Sequence, residues 1–205
     1  MLIRPAQAAD SERLGELIFS SAAHSLTALF TLDPKHSAKD FLHQALRQAE
    51  GQYGYANHWV ADDGIHVQGA ICAWHDQLSL AFHHATFDSV HRYYGLLGSA
   101  EVFKRSQLFA RSVPPPQAHE CCIGHLAVKP TQQRRGIATM LVHTIAEQAA
   151  RMDKTHLSLD VESDNQAALA FYAKLGFEII RESVASAALQ QLGIGNYLHL
   201  SKAIP

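Results

Sequence analysis

The apolar run LIRPA predicts a short strand. From Asp10-Ser11 the period changes, and Leu14, Leu17, Ile18 and Ala22 recur three and four apart, as on one face of a helix. That helix is expected to run toward Leu29, before Asp33-Pro34 stops it. Ser37 opens a second helix, with Phe41, Leu42, Ala45 and Leu46 on one face, ending near Gly51. HWVADDG and IHVQGAICAW read as two strands joined at Asp62-Asp63-Gly64, because Asp-Gly supplies the backbone a tight hairpin needs. From Leu78 to Ser112 the composition is helical, and Pro114-Pro115-Pro116 ends the segment in an extended linker. Beyond it the pattern predicts a strand over about 119–128, a helix over 136–151, a strand over 155–162, a helix over 165–175 and a strand over 177–184. A last strand, NYLHLSKAI, follows the Gly193-Ile194-Gly195 turn. This succession predicts an α/β (α+β) fold in a single domain over 1–205, with 78–116 as a helical lid or insertion plus proline linker.

Composition narrows the function classes. In 205 residues, 47% hydrophobic and 18% charged, there is enough apolar material for a substantial core. The formal net charge of −2 provides no overall basic field for tracking a nucleic-acid backbone, so any anion site must be local. The 14 histidines turn that charge positive on mild acidification. Cys72, Cys121 and Cys122 form neither a disulfide framework nor a metal spacing, since adjacent strand residues point to opposite faces. The opening MLIRPAQAADSERL has no apolar signal core, and no apolar run is long enough to span a bilayer. The expected location is the cytoplasm, with no membrane partner.

The chemistry concentrates in QRRGIA, Gln133 to Ala138, where a strand turns into a helix. The first amides of a helix lack intrahelical acceptors and its dipole leaves that end partly positive; a glycine there lets a ligand approach the backbone. Arg134 and Arg135 add charge, and Ala138 keeps the approach small. By spacing alone, a pyrophosphate cradle and an ordinary surface helix start with two solvated arginines are equally good readings. Further on, LDVESDNQAALAFYAKLGFE predicts a short helix with Ser163-x-x-Gln166 as a capping box and Gly176 as the left-handed residue after Leu175. Ala168, Phe171, Tyr172 and Leu175 share one face, where Tyr172 reads as a packing aromatic.

Taken together, Val128-Lys129-Pro130, Gln133-x-x-Gly136-x-Ala138 and the string Asn165, Ala168, Tyr172, Lys174, Gly176, Phe177 resemble the acetyl-coenzyme A signature of the GNAT N-acetyltransferase superfamily. The resemblance is strong from about 120 to 183; LIRPAQAAD also looks like the first strand of such folds, whereas 78–112 matches nothing. It implies a mixed, mostly antiparallel sheet of about six or seven strands flanked by helices, with a splayed strand pair that admits the cofactor. It further implies an acyltransferase that moves acetyl from acetyl-CoA to a primary amine by direct attack, with acetyl-CoA as acyl-donor substrate and no metal. By this carry-over the cofactor lies against Leu126, Ala127 and Val128 of the strand, whose backbone amide polarises the thioester. It also lies against Gln133, Arg134, Arg135, Gly136, Ile137, Ala138 and Thr139 of the loop and helix start, and against Asn165, Ala168 and Tyr172. Tyr172 takes the position that protonates the departing thiolate.

The amine must be neutral to attack, so a base is needed. Asp160 and Glu162 alternate with Leu159 and Val161 and share a strand face; Glu120 and His125 lie on the preceding strand. The bland reading for each is a solvated or satisfied polar residue. Cys121-Cys122 shows no pattern for a thiol nucleophile, and His83-His84 reads as surface histidine. Nucleic-acid binding through Arg134-Arg135 is disfavoured by the neutral charge. The alternative to the enzyme is a non-catalytic acyl-CoA sensor of the same fold. The acceptor, small molecule or peptide, is left open, as is homodimer formation.

Overall fold

In the computed structural model, which describes residues 1–204, the strands are β1 (Leu2–Pro5), β2 (His58–Asp62), β3 (Val67–Trp74), β4 (Glu120–Val128), β5 (His156–Glu162), β6 (Glu178–Ser183) and β7 (Tyr197–Ala203). They form one seven-stranded sheet in the order β1-β2-β3-β4-β5-β7-β6, antiparallel throughout except for the β4–β5 pair. The helices are α1 (Ser11–Ser21), α2 (Ala23–Phe30), α3 (Ala38–Ala45), α4 (Leu80–Phe109), α5 (Ile137–Arg151), α6 (Gln166–Lys174) and α7 (Ala187–Gln191). No helix among the described residues is long and apolar enough to cross a membrane.

Each sheet face is covered. Helices α1 to α4 pack on one side around Leu14, Ile18, Phe41, Leu42 and Tyr94. Helix α5 packs on the other, where Ile137, Leu141, Val142, Ile145 and Ala149 form its buried stripe against Cys121, Ile123, Leu157, Leu159 and Val161. Each of the larger side chains in that stripe contributes about 1.5–3 kcal/mol through removal from water. Double coverage explains why β3 lacks alternation: with helices on both faces, six consecutive residues from Val67 to Cys72 are buried.

The structure corrects several local expectations. The first helix is not continuous to Leu29; it breaks at Ala22 (φ −150°, ψ 44°), dividing α1 from α2. Ser20 and Ser21 just before the break donate to the carbonyls of Leu17 and Ile18, a local bond that competes with helix continuation. The second helix ends at Ala45, well before Gly51. Helix α6 is capped by Asn165, whose Oδ1 accepts from the Ala168 amide at 3.1 Å, and not by Ser163, which instead accepts a bond from the Gln166 side chain at its carbonyl. The short helix α7 had no periodic signal of its own.

The 78–112 segment is helical, as its composition predicts, but α4 reverses at Gly95 (φ 65°, ψ −173°). Phe87 before the reversal stacks on Phe103 after it, ring centres 5.1 Å apart, and His91 lies 3.4 Å from the Ser99 hydroxyl. Val90, Tyr94 and Val102 are buried, and the Tyr94 hydroxyl donates to the Phe30 carbonyl at 2.5 Å. The hairpin is thereby part of the core on the α1–α3 side.

Candidate active site

Strands β4 and β5 pair in parallel only from Glu120↔His156 to Ile123↔Leu159. Beyond that point β4 stays with β3, where four residues of β4, from Gly124 to Ala127, stand opposite three of β3, from Cys72 to Ala70. The extra residue is a bulge: His125 has φ 48°, and the strand bends away from β5. The amides along that edge of β4 therefore have no partner on β5. The gap is the cleft the sequence led one to expect, with a volume of about 270 Å³.

Gly124, His125 and Leu126 line it from β4, Asp160 and Glu162 from β5, and Asn165, Ala168 and Tyr172 from α6. Ser21, His24 and Ser25 close it at the α1–α2 break, and Tyr197 closes it from β7. These last residues were missed in the sequence. The break in SSAAHS was hidden by good helix formers, and Tyr197 and His199 belong to a polar series on β7 that alternates with Leu198 and Leu200.

The loop before α5 has the form of an anion cradle. Arg134 (φ 60°) and Gly136 (φ 80°) both adopt left-handed backbone, and Gly136 occupies the N-cap with no side chain to satisfy the helix amides. The Met140 amide bonds the Gly136 carbonyl as the first helical bond, which leaves the amides of Ile137, Ala138 and Thr139 without intrahelical acceptors. A Cβ built on Gly136 would meet nothing within 4 Å, so glycine serves the backbone conformation and the open approach. Gln133 braces the loop, donating to the Val128 carbonyl at 3.2 Å. Ile137 buries its side chain in the core, while Arg134 and Arg135 are exposed. A polyanion fits this arrangement of free amides and exposed cations.

Tyr172 is buried at 8% exposure, with its ring between Phe171 (5.1 Å) and Phe177 (5.5 Å). Burial first, and then the neighbouring Cys122, push its phenol well above the ordinary tyrosine value, so it stays protonated at neutral pH. His125 is half-buried beside Trp74 and Tyr53, and burial lowers it to about 3, so its ring is neutral. The two strand thiols are moved away from nucleophilic character, Cys121 to about 11 through burial.

The carboxylates considered for the base separate. Glu162 Oε1 accepts from the Ser25 hydroxyl at 2.5 Å and the Tyr197 hydroxyl at 3.1 Å. Asp160 Oδ1 lies 3.1 Å from His199 Nδ1, while its Oδ2 is buried with no partner among the described residues. Glu120 does not line the cleft. It faces a separate hollow of about 530 Å³, bounded by Pro114, Pro115 and Arg181, and is held by His199 and by the Gln117 amide. Its place at the start of β4, where the strands still pair, removes it from the splay.

A buried histidine at the start of β2 makes stability pH-dependent. His58 is 1% exposed, and burial lowers its pKa from 6.5 to about 4. The unfolded chain takes up a proton near pH 6.5 that the folded chain refuses until about pH 4, so this contribution is complete above 6.5 and is lost across that interval. Melting temperatures should fall between about pH 7 and about pH 4.5, and a His58→Gln variant should fall less over the same range. Equal slopes for the two proteins would show that His58 is not the group responsible.

Residues 24–177 match the family model described as the acetyltransferase (GNAT) family. Among solved structures, an N-acetyltransferase from Staphylococcus aureus Mu50 is 20% identical, with 98% of this chain and 100% of that one covered and a TM-score of 0.69. A ribosomal-protein-alanine N-acetyltransferase from Brucella melitensis is 17% identical over 99% of both chains, with a TM-score of 0.54. A Mycobacterium tuberculosis protein in complex with CoA and NLQ is 14% identical over 100% of both chains, TM-score 0.54. At these identities the likeness concerns the fold. No curated protein matches the sequence.

Proposed function

Because the chain belongs to the acetyltransferase (GNAT) family, we propose that this acyltransferase moves acetyl from acetyl-CoA to a primary amine bound in the cleft between β4 and β5. The observation that carries the reading is the cleft itself: one opening brings together unpaired β4 edge amides, the protonated Tyr172 and the incompletely paired Asp160. The loop amides of Ile137, Ala138 and Thr139, with Arg134 and Arg135, hold the pyrophosphate, and Leu126 to Val128 present the strand edge to the thioester arm. Acetyl-CoA supplies an activated acyl group with a thiol leaving group.

The residues then divide the proton traffic. Asp160 takes one proton from the acceptor's ammonium, which frees the nitrogen lone pair for attack on the carbonyl carbon. The β4 backbone near Leu126 stabilises the negative charge that develops on oxygen. As the C–N bond forms and the C–S bond breaks, Tyr172 gives its proton to the sulfur and is reprotonated by one of the two protons on the now positively charged nitrogen, the other staying as the amide N–H. Asn165 and Ala168 keep the α6 side of the cleft narrow and in register, and His125, neutral and wedged among aromatics, forms its wall. The acceptor enters past Ser21, His24 and Ser25.

A thermal-shift titration with acetyl-CoA, CoA and NADH, followed by thiol release against a panel of amines, tests the proposal. Stabilisation by the CoA species of about 2–4 kcal/mol at large excess, with thiol release that depends on the amine, is expected. Stabilisation without release for any amine would favour the sensor reading, and no stabilisation would overturn the cradle.

A further inference from the structure

Three polar side chains on adjacent strands form a line of which the acetyl-transfer reading uses only Asp160. Glu120 on β4, Asp160 on β5 and His199 on β7 share the face opposite α5, alternating with Cys121, Leu159 and Leu200, which point into the α5 core. Asp160 and His199 are direct cross-strand partners, with Oδ1 3.1 Å from Nδ1. The other ring nitrogen lies 3.2 Å from Glu120 Oε1, and Glu120 Oε2 accepts the Gln117 amide at 2.9 Å. The side chains of Asp160, His199 and Glu120 are 6%, 12% and 7% exposed. Every hydrogen-bonding atom in the line is satisfied except Asp160 Oδ2, which is buried, and Asp160 is the one member of the line that also lines the cleft.

We infer that His199 is the positioning residue of the acceptor site: braced on Glu120 from the second hollow, its imidazole sets the direction of Asp160. This rests on the proposed role of Asp160 in the cleft. A carboxylate with one oxygen held by a cation is fixed in rotation and presents its other oxygen in one direction, which is what positioning an ammonium requires. Glu120 supplies the second anion that makes a buried imidazolium tolerable, since one carboxylate alone repays less of the cost of its burial. The Asp160 bond, and after it Glu120, raise the His199 pKa, against the opposing effect of burial. The remaining ionisable neighbours are Cys122 on β4, Glu162 on β5, Tyr197 on β7, Arg181 on β6, and His119 and His156 at the rim of the second hollow. Because that hollow is separate from the cleft, the clamp reaches solvent on a side that acceptor and cofactor do not occupy.

The pH sign follows. His199 is charged below its raised pKa, so kcat/KM for the amine should fall as pH rises through that value. Glu120→Gln keeps an acceptor oxygen but removes the charge, and should lower kcat/KM about tenfold while moving the alkaline limb about one pH unit toward acid. Acetyl-CoA affinity should be unchanged. His199→Gln should lose the limb altogether. Imidazole titration followed by NMR gives a readout independent of turnover: His199 should titrate above an ordinary histidine in the native enzyme and lower in Glu120→Gln. If Asp160→Asn abolishes turnover but Glu120→Gln leaves kcat/KM, its pH limb and the His199 titration unchanged, losing only melting temperature, the line is a strand tie and the inference fails. If Asp160→Asn itself retains kcat/KM, the role of Asp160 fails first and the inference with it.

Discussion

Gly136→Asp is expected to abolish acetyl-CoA binding while the protein remains folded. At φ 80° a residue with a Cβ costs about 1 kcal/mol, although aspartate tolerates this region better than most. A carboxylate at a helix start recovers roughly 0.3–1 kcal/mol from the dipole and the free amides. A built Cβ meets no neighbour, so no packing is disturbed. The melting temperature should thus stay within about 5 °C of the native protein. The ligand fares differently, because the new carboxylate occupies the amides of Ile137, Ala138 and Thr139 and repels the pyrophosphate. Losing two charge-assisted hydrogen bonds, at roughly 1.5–3 kcal/mol each, lowers affinity about a hundredfold or more. Calorimetry with acetyl-CoA checks this directly; affinity within a few-fold of native would mean that the QRRGIA loop does not hold the phosphates.

Tyr172→Phe is expected to separate chemistry from binding. The phenylalanine ring keeps the contacts with Phe171 and Phe177, and no hydrogen bond to the hydroxyl offsets the burial that raises its pKa, so stability should change little. Acetyl-CoA affinity should also be preserved. Removal of a general acid lowers kcat by about 10²-fold or more, and a poor leaving group feels it most. Rates measured across pH, with acetyl-CoA saturating, give the answer. An unaltered kcat would return Tyr172 to the packing role that its helical spacing alone suggested.

What could be read in advance has a common character. The strand over Glu120–Val128, the helix start at Gly136 and the Gly176 stop after α6 depend on a few consecutive residues and their backbone preferences. The hairpin at Asp62-Asp63-Gly64 is of the same kind, with Asp63 accepting the amides of Ile65 and His66. The misreadings have a common character too. Ala22-Ala23 and the α7 residues are made of good helix formers whose local preferences carry no mark of where a chain will turn. Ser163 and Asn165 are both good caps, and the choice between them depended on the turn that leaves β5, where Asn165 donates its amide to the Glu162 carbonyl.

The sequence by itself determined the glycine-led helix start at Gly136, the short helix α6 and the alternation that puts Asp160 and Glu162 on one face, because backbone conformation and side-chain period are local properties. Only the tertiary structure decided which of the candidate carboxylates line the cleft and which partners hold them. Glu120, Asp160 and His199 are far apart along the chain and meet because β7 inserts between β5 and β6. A period of two says which face a residue takes, but not which strand lies beside it or where two strands part. The parting of β4 from β5 after Ile123, produced by one extra residue at His125, sends Glu120 to a separate hollow and leaves Asp160 at the cleft.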